Sequence, residues 1–583
     1  MASSASDNGN NASVVASDTA SDDPRGLLWV AAQEGRTTDL RALLQEALAT
    51  GGVHTAADVL PALRVAACND HAAVVLALLG TGAAGLDDDQ TDDRPPPLWV
   101  ASCYGSTDAA LVLVQAKADI DQTRYDESRT PASVAAQYGH TDLLQVLVHA
   151  KADIDKASTD TGATPTVMAA HNGHADSLRV LVHAKADIDK ARTDNGVTPA
   201  FVAAQSGHTY SLQVLVHAKA DIDKARPYDG ATPAFVAAQN ARTESLQVLV
   251  HAKADIDKAR TDNGATPAFM AAKKGHTESL QVLVNAKVDI DRARTADGAT
   301  PAFMAAKKGH TDSLQVLVHA KADIDKATAG RGATPAFTAA FNGRTDSLQV
   351  LVHAKADIDK ATTDNGRTPA FVAAWRGHTD SLQLLVHGKA DIDKARTDDG
   401  TTPAFEAALN GDTDSLQVLV QAKADIDKAT TNEGATPAFV AAYHEHTDLL
   451  QVLVHAKADI DKARTTDGAT PAFAASQNGH AKSLQLLLQA AADVTRCLDD
   501  SGWSPLLAAS AAGHLEAVRL LMDRAPQMVH VRTTTERRFR GQTIATGSAP
   551  VDVARQLHRD GVVQLLAGDI ASAVGGQPKR LRK

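Results

Sequence analysis

Proline recurs at a spacing of 34 residues through most of this 583-residue chain. Twelve of its 21 prolines follow that spacing from Pro131 to Pro505, Pro97 extends the series by one step, and nine of the eleven phenylalanines repeat with it. A chain of this length would ordinarily divide into about four independent domains. The fixed period indicates instead that one small unit is copied end to end, so the chain is counted in repeats.

Each unit carries the signals of two short helices and a turn. Thr198 is a side-chain acceptor suited to a helix start, and Pro199 suits the first helical position. Gly207 suits a left-handed helix end. A second apolar stretch follows, with Leu212 and Leu215 at helical spacing, and Asp-Asn-Gly predicts a turn between units. A helix pair this small cannot bury its apolar face alone, so the units must stack to form a core.

The repeated motif is Thr-Pro-x-x-x-Ala-Ala-x-x-Gly-His, followed by a Leu-rich stretch and Ala-Asp-Ile-Asp. It stays in register over thirteen units, from Pro97 to Pro505. This motif resembles the ankyrin repeat family. Weaker units at residues 27–36 and 62–71 resemble two entry repeats, and residues 550–566 resemble a closing repeat. The resemblance implies an all-α, ankyrin-type α-solenoid of about sixteen stacked helix-turn-helix repeats with short turn or hairpin fingers.

The expected domain organisation follows from the repeats and from the segments that interrupt them. The 24 residues between 526 and 549 lengthen the last connection, carry Arg532, Arg537, Arg538 and Arg540, and are expected to project from the solenoid. The predicted segments are 1–24 (a disordered, Ser/Asp-rich N-terminal segment), 25–96 (divergent N-terminal repeats), 97–525 (regular repeats), 526–549 (a basic insertion), 550–570 (a C-terminal capping repeat) and 571–583 (a basic tail).

The chain departs from the family's pattern at two positions. Where the family carries Leu-His after Thr-Pro, this chain mostly has Ala-Phe, as at Ala234 and Phe235, so apolar packing is expected to replace the polar contact of the histidine. Where the family ends its second helix with glycine, this chain has lysine, from Lys151 to Lys457. If the backbone is left-handed there, each lysine costs about 1–2 kcal/mol.

The composition argues against several classes of protein. Lysine and arginine number 58 against 70 aspartates and glutamates, and this net charge of −12 argues against binding to nucleic acid. Three cysteines are too few for a disulfide framework or an all-cysteine zinc site. No segment has the roughly 18 uninterrupted apolar residues of a membrane helix, and residues 1–23 resemble no targeting signal. We expect a monomeric, cytoplasmic protein; the basic residues 579–583 leave a nuclear location or a merely solubilising tail open.

The repeated polar residues predict neither a metal site nor a catalytic site. Most histidines form two columns, one at the start of the second helix, as at His140, and one at its end, as at His149. Equivalent side chains of stacked helices lie about 8–10 Å apart, which is too far to share one metal ion. Asp153 and Asp155 lack the further ligands of a calcium loop and are expected to make loop hydrogen bonds, with Lys156 neutralising one carboxylate. A motif copied many times supplies no unique convergent groups, so we expect no enzyme activity and no cofactor.

The positions that differ between repeats predict the partner-binding site. The two residues before Gly-His change freely, and the resemblance implies that they face the concave groove in which ankyrin repeats bind partners. Trp375 and Arg376 beside Phe341 form the expected anchor, because aromatic residues and arginine suit interface hot spots. Four lysines predict a basic patch for an acidic partner, although surface positions can also drift without selection. The predicted binding residues are Tyr138, Lys273, Lys274, Lys307, Lys308, Phe341, Trp375, Arg376, Tyr443 and His444.

Three functions fit this architecture. The leading hypothesis is a non-catalytic scaffold or adaptor that holds protein partners in the groove. The first alternative is an elastic spacer without a specific groove partner. The second is a regulatory subunit of an enzyme complex, for which residues 526–549 are the only unusual polar segment. Groove substitutions separate a scaffold from a spacer, because in a spacer they change nothing but stability.

Overall fold

Each regular repeat begins with a threonine and a proline that start its first helix. A computed structural model shows Thr198 Oγ1 accepting a hydrogen bond from the backbone N–H of Phe201 at 3.2 Å. Gly207 ends this helix with a φ of 84°, a left-handed conformation that glycine adopts without strain. The second helix, Thr209–His217, buries its leucines completely, as at Leu212. The local signals of the repeat therefore act as the sequence predicts.

The structure describes residues 24–49, 56–82, 95–123, 128–498, 501–539 and 541–574. The chain divides into two compact units, residues 1–296 and residues 297–583. Residues 1–23 of the predicted N-terminal segment, Arg540 of the predicted insertion and residues 575–583 of the predicted tail lie outside the described residues.

The first unit contains eight helix pairs among its described residues. Its helices are α1 Pro24–Gln33, α2 Thr37–Ala49, α3 Ala56–Cys68, α4 Ala72–Leu79, α5 Pro97–Tyr104, α6 Thr107–Gln115, α7 Pro131–Tyr138, α8 Thr141–His149, α9 Pro165–Asn172, α10 Ala175–His183, α11 Pro199–Ser206, α12 Thr209–His217, α13 Pro233–Gln239, α14 Thr243–His251, α15 Pro267–Lys274 and α16 Thr277–Asn285.

The second unit contains eight further pairs among its described residues, with one short hairpin before the last pair. Its elements are α17 Pro301–Lys308, α18 Thr311–His319, α19 Pro335–Phe341, α20 Thr345–His353, α21 Pro369–Trp375, α22 Thr379–His387, α23 Pro403–Asn410, α24 Thr413–Gln421, α25 Pro437–Tyr443, α26 Thr447–His455, α27 Pro471–Asn478, α28 Ala481–Gln489, α29 Pro505–Ala512, α30 Leu515–Arg524, a 3₁₀ helix Pro526–His530, β1 Arg537–Phe539, β2 Gln542–Ile544, α31 Pro550–Gln556 and α32 Asp560–Val574.

Within each unit the helices form two layers. First helices pack on the first helices of neighbouring repeats, as α7 does on α9 and α25 on α27, and second helices pack on second helices in the same way. The alanines at the centre of the first helices, such as Ala203 and Ala204, are fully buried, and their small side chains allow this close packing. The predicted all-α ankyrin-type solenoid of stacked helix pairs is confirmed.

None of the described helices combines the length and the apolar character that crossing a lipid bilayer requires.

In several repeats the side chain that precedes the second helix bonds to the preceding repeat. His140 Nε2 lies 3.0 Å from the carbonyl oxygen of Cys103, and because a carbonyl can only accept, Nε2 carries the proton. Arg242, which replaces the histidine in one repeat, donates from Nε to the equivalent carbonyl. The hydroxyls of Thr141 and Ser177, which lie on the second helices of successive repeats, are 3.0 Å apart and join these two helices. This histidine column has the structural role that we expect from its position.

The paired aspartates form a second ladder between repeats. The N–H of Asp155 donates to Asp153 Oδ1 at 3.0 Å, and the N–H of Asp187 in the next repeat donates to Asp155 Oδ1 at 2.9 Å. Lys156 Nζ donates to the backbone carbonyl of Asp121 at 3.0 Å. Burial raises the pKa of Asp121, and the charge of Lys156 opposes that effect. The predicted loop hydrogen bonds are therefore present, and the lysine acts on a carboxylate of the preceding repeat.

The lysine that ends each second helix adopts a left-handed backbone conformation. Among the described residues, eleven lysines from Lys117 to Lys457 share it, with φ between 61° and 67°. A side chain with a Cβ is strained in this region, by about 1–2 kcal/mol at each position. The chain carries this cost in almost every regular repeat.

In several repeats the phenylalanine that stands where ankyrin repeats usually carry histidine is packed beneath an arginine. The Cζ atom of Arg226 lies 5.2 Å from the centroid of the Phe201 ring, and Arg464 lies 5.0 Å from Phe439 in the second unit. Burial alone would raise the pKa of Asp229, but its hydrogen bond and charge interaction with Arg226 lower that pKa instead. The expected apolar packing is present, and a cation held by the turn covers the ring.

Residues 526–549 begin as a 3₁₀ helix and continue as a finger whose described residues are mostly exposed, and the expectation that this segment projects from the stack stays a prediction. Met528 and Val529 in the 3₁₀ helix are buried. The rest is a lengthened finger. At its base the N–H of Thr533 donates to the carbonyl of Ser548 at 3.1 Å, and further out β1 and β2 pair as an antiparallel hairpin. The ring of Trp503 lies 6.2 Å from that of Phe539. An apolar contact and backbone hydrogen bonds therefore hold this segment against the preceding repeat.

Replacing Lys219 by glycine is expected to stabilise the fold. Lys219 is exposed with a φ of 65°. Glycine removes a strain of about 1–2 kcal/mol and adds about 0.5–1 kcal/mol of backbone entropy to the unfolded chain. The expected net gain of up to about 1 kcal/mol is measured from urea unfolding of the full chain. Lys219→Ala is the matched control, since it removes the same charge but keeps the Cβ, and an equal gain for both variants would contradict the strain.

Candidate partner-binding surface

The fingers and the C-terminal ends of the first helices form one surface in each unit, which we call the finger groove. In the second unit the N–H of Thr363 donates to the carbonyl of Arg331 at 2.9 Å, and that of Thr397 donates to Asn365 at 3.0 Å. Gly366 has a φ of 71°, and a Cβ added there would lie 2.6 Å from Thr397 Cγ2. Backbone hydrogen bonds and tight glycine turns thus align successive fingers side by side.

Phe341, Trp375 and Arg376 lie together in the finger groove of the second unit. The ring centroids of Phe341 and Trp375 are 5.9 Å apart. The guanidinium carbon of Arg376 lies 4.3 Å from the Phe341 centroid and 4.5 Å from that of Trp375. Both rings are half-buried and Arg376 is exposed. The structure brings the three predicted anchor residues into contact, and their role in binding a partner stays a prediction.

Arg367 joins this cluster, although sequence reasoning did not select it. Its guanidinium carbon lies 4.7 Å from the centroid of Trp375, and it comes from the finger that precedes α21. The neighbouring repeats carry alanine or threonine at the same position, as at Ala333 and Thr401. This departure from the repeated pattern was the signal in the sequence that could have identified Arg367.

A cavity of about 160 Å³ opens beside this cluster. Phe337 and Phe341, whose rings are stacked with centroids 6.3 Å apart, form its apolar wall. Lys307, Arg331 and Arg367 contribute cationic groups. Cavities that bind whole metabolites are usually about 300–1,000 Å³. The smaller volume suits a single side chain of a partner.

Glu406 is a buried carboxyl group in the following repeat that sequence reasoning also missed. Only 5% of it is exposed, and it stands where Val372 and Val440 stand in neighbouring repeats. Burial raises its pKa, and the charge of Arg396, at 3.9 Å, opposes that effect. This carboxyl group is therefore a local cost to the fold at neutral pH.

Tyr443 and His444 form a separate aromatic site on α25 and the turn after it. Their ring centroids are 5.0 Å apart in an edge-to-face arrangement, and Tyr443 also stacks on Phe439. Tyr443 is 43% exposed. Burial and the neighbouring imidazoles of His446 and His480 lower the pKa of His444. At neutral pH the pair presents an uncharged aromatic surface.

In the first unit, Tyr138 belongs to a cluster with Trp99, Cys103 and Val134. Tyr104 lies at the equivalent position of the preceding repeat, and burial together with the Cys68 and Cys103 thiols raises its pKa to about 12. Sequence reasoning missed Trp99 and Tyr104. Trp99 stands at the repeat position of the regular phenylalanine, and Tyr104 stands at the repeat position of Tyr138.

The four predicted lysines belong to different units. Lys273 and Lys274 end α15 in the first unit, and Lys307 and Lys308 end α17 in the second. Lys307 and Lys308 are exposed, and Lys307 Nζ lies 6.0 Å from the centroid of Phe303. Each pair is thus a cationic end of a first helix, and a basic patch shared by the two pairs stays a prediction.

Four of the histidines that end second helices bond to their own helix, namely His149, His183, His217 and His387. His149 Nδ1 lies 2.8 Å from the carbonyl oxygen of Gln145, so Nδ1 carries the proton. Among the described residues, no group of three or more histidine, cysteine, aspartate or glutamate side chains is placed to hold a metal ion.

Family models of ankyrin repeats match most of the chain. A model described as ankyrin repeats (3 copies) matches residues 98–192, 132–226, 168–262, 234–328, 389–464 and 457–533. A second, described as ankyrin repeats (many copies), matches residues 336–386. No curated protein is similar enough to match the chain.

Glu406→Val is expected to stabilise the protein at neutral pH by about 1–3 kcal/mol, because an ionised carboxyl group is removed from a buried position. Because the pKa of Glu406 is raised in the folded state, its burial does not destabilise the fold below the ordinary carboxyl pKa of about 4.3. The destabilisation grows as the pH rises from there through the folded-state pKa. The advantage of the variant should therefore be larger at pH 7 than at pH 4, as measured by urea midpoints. Glu406→Gln is the control that removes the charge with little change of shape. An advantage that is equal at both pH values would contradict this account.

Proposed function

Because the chain belongs to the ankyrin repeat family, we propose that it is a non-catalytic scaffold or adaptor that binds protein partners in its finger grooves. Ankyrin repeats generally mediate protein–protein interaction and are typically non-catalytic. The observation that carries the proposal is a contrast within the chain. Buried positions keep one residue type in most repeats, whereas groove positions hold Phe341, Trp375 and Tyr443 in different repeats.

The exposed parts of these aromatic residues support a role in binding. Trp375 and Phe341 are half-buried against their own fold, so their rings are already held in place. Rigid aromatic side chains lose little conformational entropy on binding, and such residues dominate the energy of many interfaces. Tyr138 offers a further aromatic site in the first unit, and Tyr443 offers one in the second.

The use of the titratable groups supports a non-catalytic role. Histidines of the first column bond to the preceding repeat, and those of the second bond to their own helix, as at His140 and His149. Asp229 and Asp467, whose pKa values are lowered, are hydrogen-bonded to arginines that also cover the repeated phenylalanines. These groups are engaged in structural contacts, either between repeats or within one helix or finger.

The remaining features of the proposal follow from charge and composition. Because its net charge is −12, we propose that the protein binds proteins rather than nucleic acid. Acidic segments of these partners are proposed to contact the groove lysines. It is proposed to act as a monomer in the cytoplasm or nucleus.

A capture experiment tests the proposal. The full chain is immobilised and incubated with lysate of the source cells, and captured proteins are identified by mass spectrometry. A groove variant is expected to lose the partners of the wild type, since truncating a hot-spot residue costs about 2 kcal/mol or more. Its substitutions are Lys273→Glu, Lys274→Glu, Lys307→Glu and Trp375→Ala.

A variant of matched composition controls for charge and for the loss of one aromatic side chain. Its substitutions lie on the second helices and their ends, at Lys185→Glu, Lys219→Glu, Lys253→Glu and Tyr210→Ala, where Tyr210 is 74% exposed. Circular dichroism establishes that both variants fold. Partners that the control retains and the groove variant loses support a groove-binding scaffold. An identical set of captured proteins for all three chains contradicts it, and no captured protein for any chain favours a spacer.

A further inference from the structure

One repeat of the second unit departs from its neighbours at three positions that meet in space. Arg367 stands where the adjacent repeats have alanine or threonine, at Ala333 and Thr401. Arg376 stands where Asn342 and Asn410 stand in adjacent repeats, and Trp375 is the only tryptophan in its column. Arg367 lies eight residues before Trp375, and Arg376 directly follows Trp375. Both arginines contact the indole ring of Trp375. In an array of nearly identical units, this coincidence marks a local specialisation.

The two arginines are held by stacking on rings rather than by pairing with carboxylates. Both guanidinium carbons lie within 4.7 Å of the Trp375 centroid. Stacking uses the face of the guanidinium group and leaves the N–H donors at its edges available. Among the described residues, neither Arg367 nor Arg376 has a carboxylate within ion-pair distance. The charge of Arg367 does act on Glu406, where it opposes the rise in the pKa of that carboxyl group, and Arg367 Nε lies 3.3 Å from the side-chain amide of Asn365.

The nearby acidic groups are already paired with other arginines. Asp364 lies 3.8 Å from Arg331, and Arg396 is bonded to Asp398 in its own finger. Glu406 is buried and lies 3.9 Å from Arg396. Two concentrated positive charges therefore remain on one indole ring, where a ligand with negative charge would relieve their mutual repulsion.

The adjoining cavity extends the same cationic surface. Its volume of about 160 Å³ suits one side chain, and Lys307 and Arg331 line it together with Phe341 and one acidic residue, Asp364. An extended peptide laid across the fingers could place one acidic side chain at the stacked arginines and a neighbouring side chain in this cavity. Each guanidinium carries one positive charge and its planar fork matches a carboxylate in bidentate geometry.

We propose that the finger groove around Arg367, Trp375 and Arg376 binds an acidic peptide segment of a partner protein, with carboxylate side chains on the two stacked arginines. This inference rests on the proposed function and names the chemistry of the partner at that site. Trp375 then acts chiefly as the platform that orients the arginines.

Fluorescence anisotropy with defined peptides tests the inference on the full chain. The probes are a fluorescein-labelled Gly/Ser peptide with four glutamates, its counterpart with four glutamines, and a counterpart with two phosphoserines. We expect the glutamate peptide to bind at least about tenfold more tightly than the glutamine peptide at low salt, and less tightly as salt screens the charges.

The variants use residues with which neighbouring repeats already fold. Arg367→Ala copies Ala333, and Arg376→Asn copies Asn342. Each is expected to weaken the glutamate peptide about tenfold, and the double variant should lose the preference over the glutamine peptide. Arg344→His is the matched control, because it removes one arginine of the same unit at a position where other repeats carry histidine, and its affinity should equal that of the wild type.

Each outcome is decisive. Equal binding of the glutamate peptide by the wild type and the double variant overturns the inference, and so does binding of the phosphoserine peptide alone, which would indicate a phosphoryl site. If the glutamate peptide does not bind while capture still depends on the groove residues, the inference fails and the proposed function stands. If the glutamate peptide displaces captured partners from the chain, this result supports both the inference and the proposed function.

Discussion

The stacking of one repeat on the next is the interaction on which the whole structure depends. A pair of helices of eight or nine residues cannot bury its apolar face alone, and the fully buried alanines and leucines gain their contacts from neighbouring repeats. Polar ladders reinforce this contact at fixed separations: His140 to Cys103, Thr141 to Ser177, and Asp187 to Asp155. Because every repeat needs both neighbours, the core positions tolerate little change. The left-handed lysines show that a strain of about 1–2 kcal/mol at each is tolerated when the stack determines the backbone.

The same constraint leaves the finger groove free to differ from repeat to repeat. Side chains at the ends of the first helices contact the fingers and solvent but contribute little to the buried interface, so Phe341, Leu409 and Tyr443 can replace one another there without disturbing the stack. The way each finger folds over its own first helix also determines which of these residues meet, since it places Arg367 over the ring of Trp375. A surface assembled in this way can present different chemistry along one regular framework, which is the physical basis for the proposed role in binding.

Much of the candidate site could be predicted from the sequence, because the repeat acts as an internal alignment. The two variable positions before Gly-His predict that Phe341, Trp375 and Arg376 lie on one surface. Arg367 and Glu406 could not be assigned in the same way. Arg367 comes from a finger and Glu406 from the interior of a helix, and their relation to the cluster depends on how the fingers fold back over the first helices. Lengthening of the last finger was visible as an altered spacing, but its packing on Trp503 was not.

The sequence by itself determined the period, the helix starts at threonine and proline, the glycine ends and the all-α fold, because these depend on local backbone preferences and on the spacing of apolar residues. Only the tertiary structure decided which side chains touch. It placed two arginines of one repeat on the ring of Trp375, brought Lys156 to the backbone of Asp121 in the preceding repeat and buried Glu406. These contacts depend on how each finger folds over its first helix and on how the repeats stack, and no local sequence pattern specifies either.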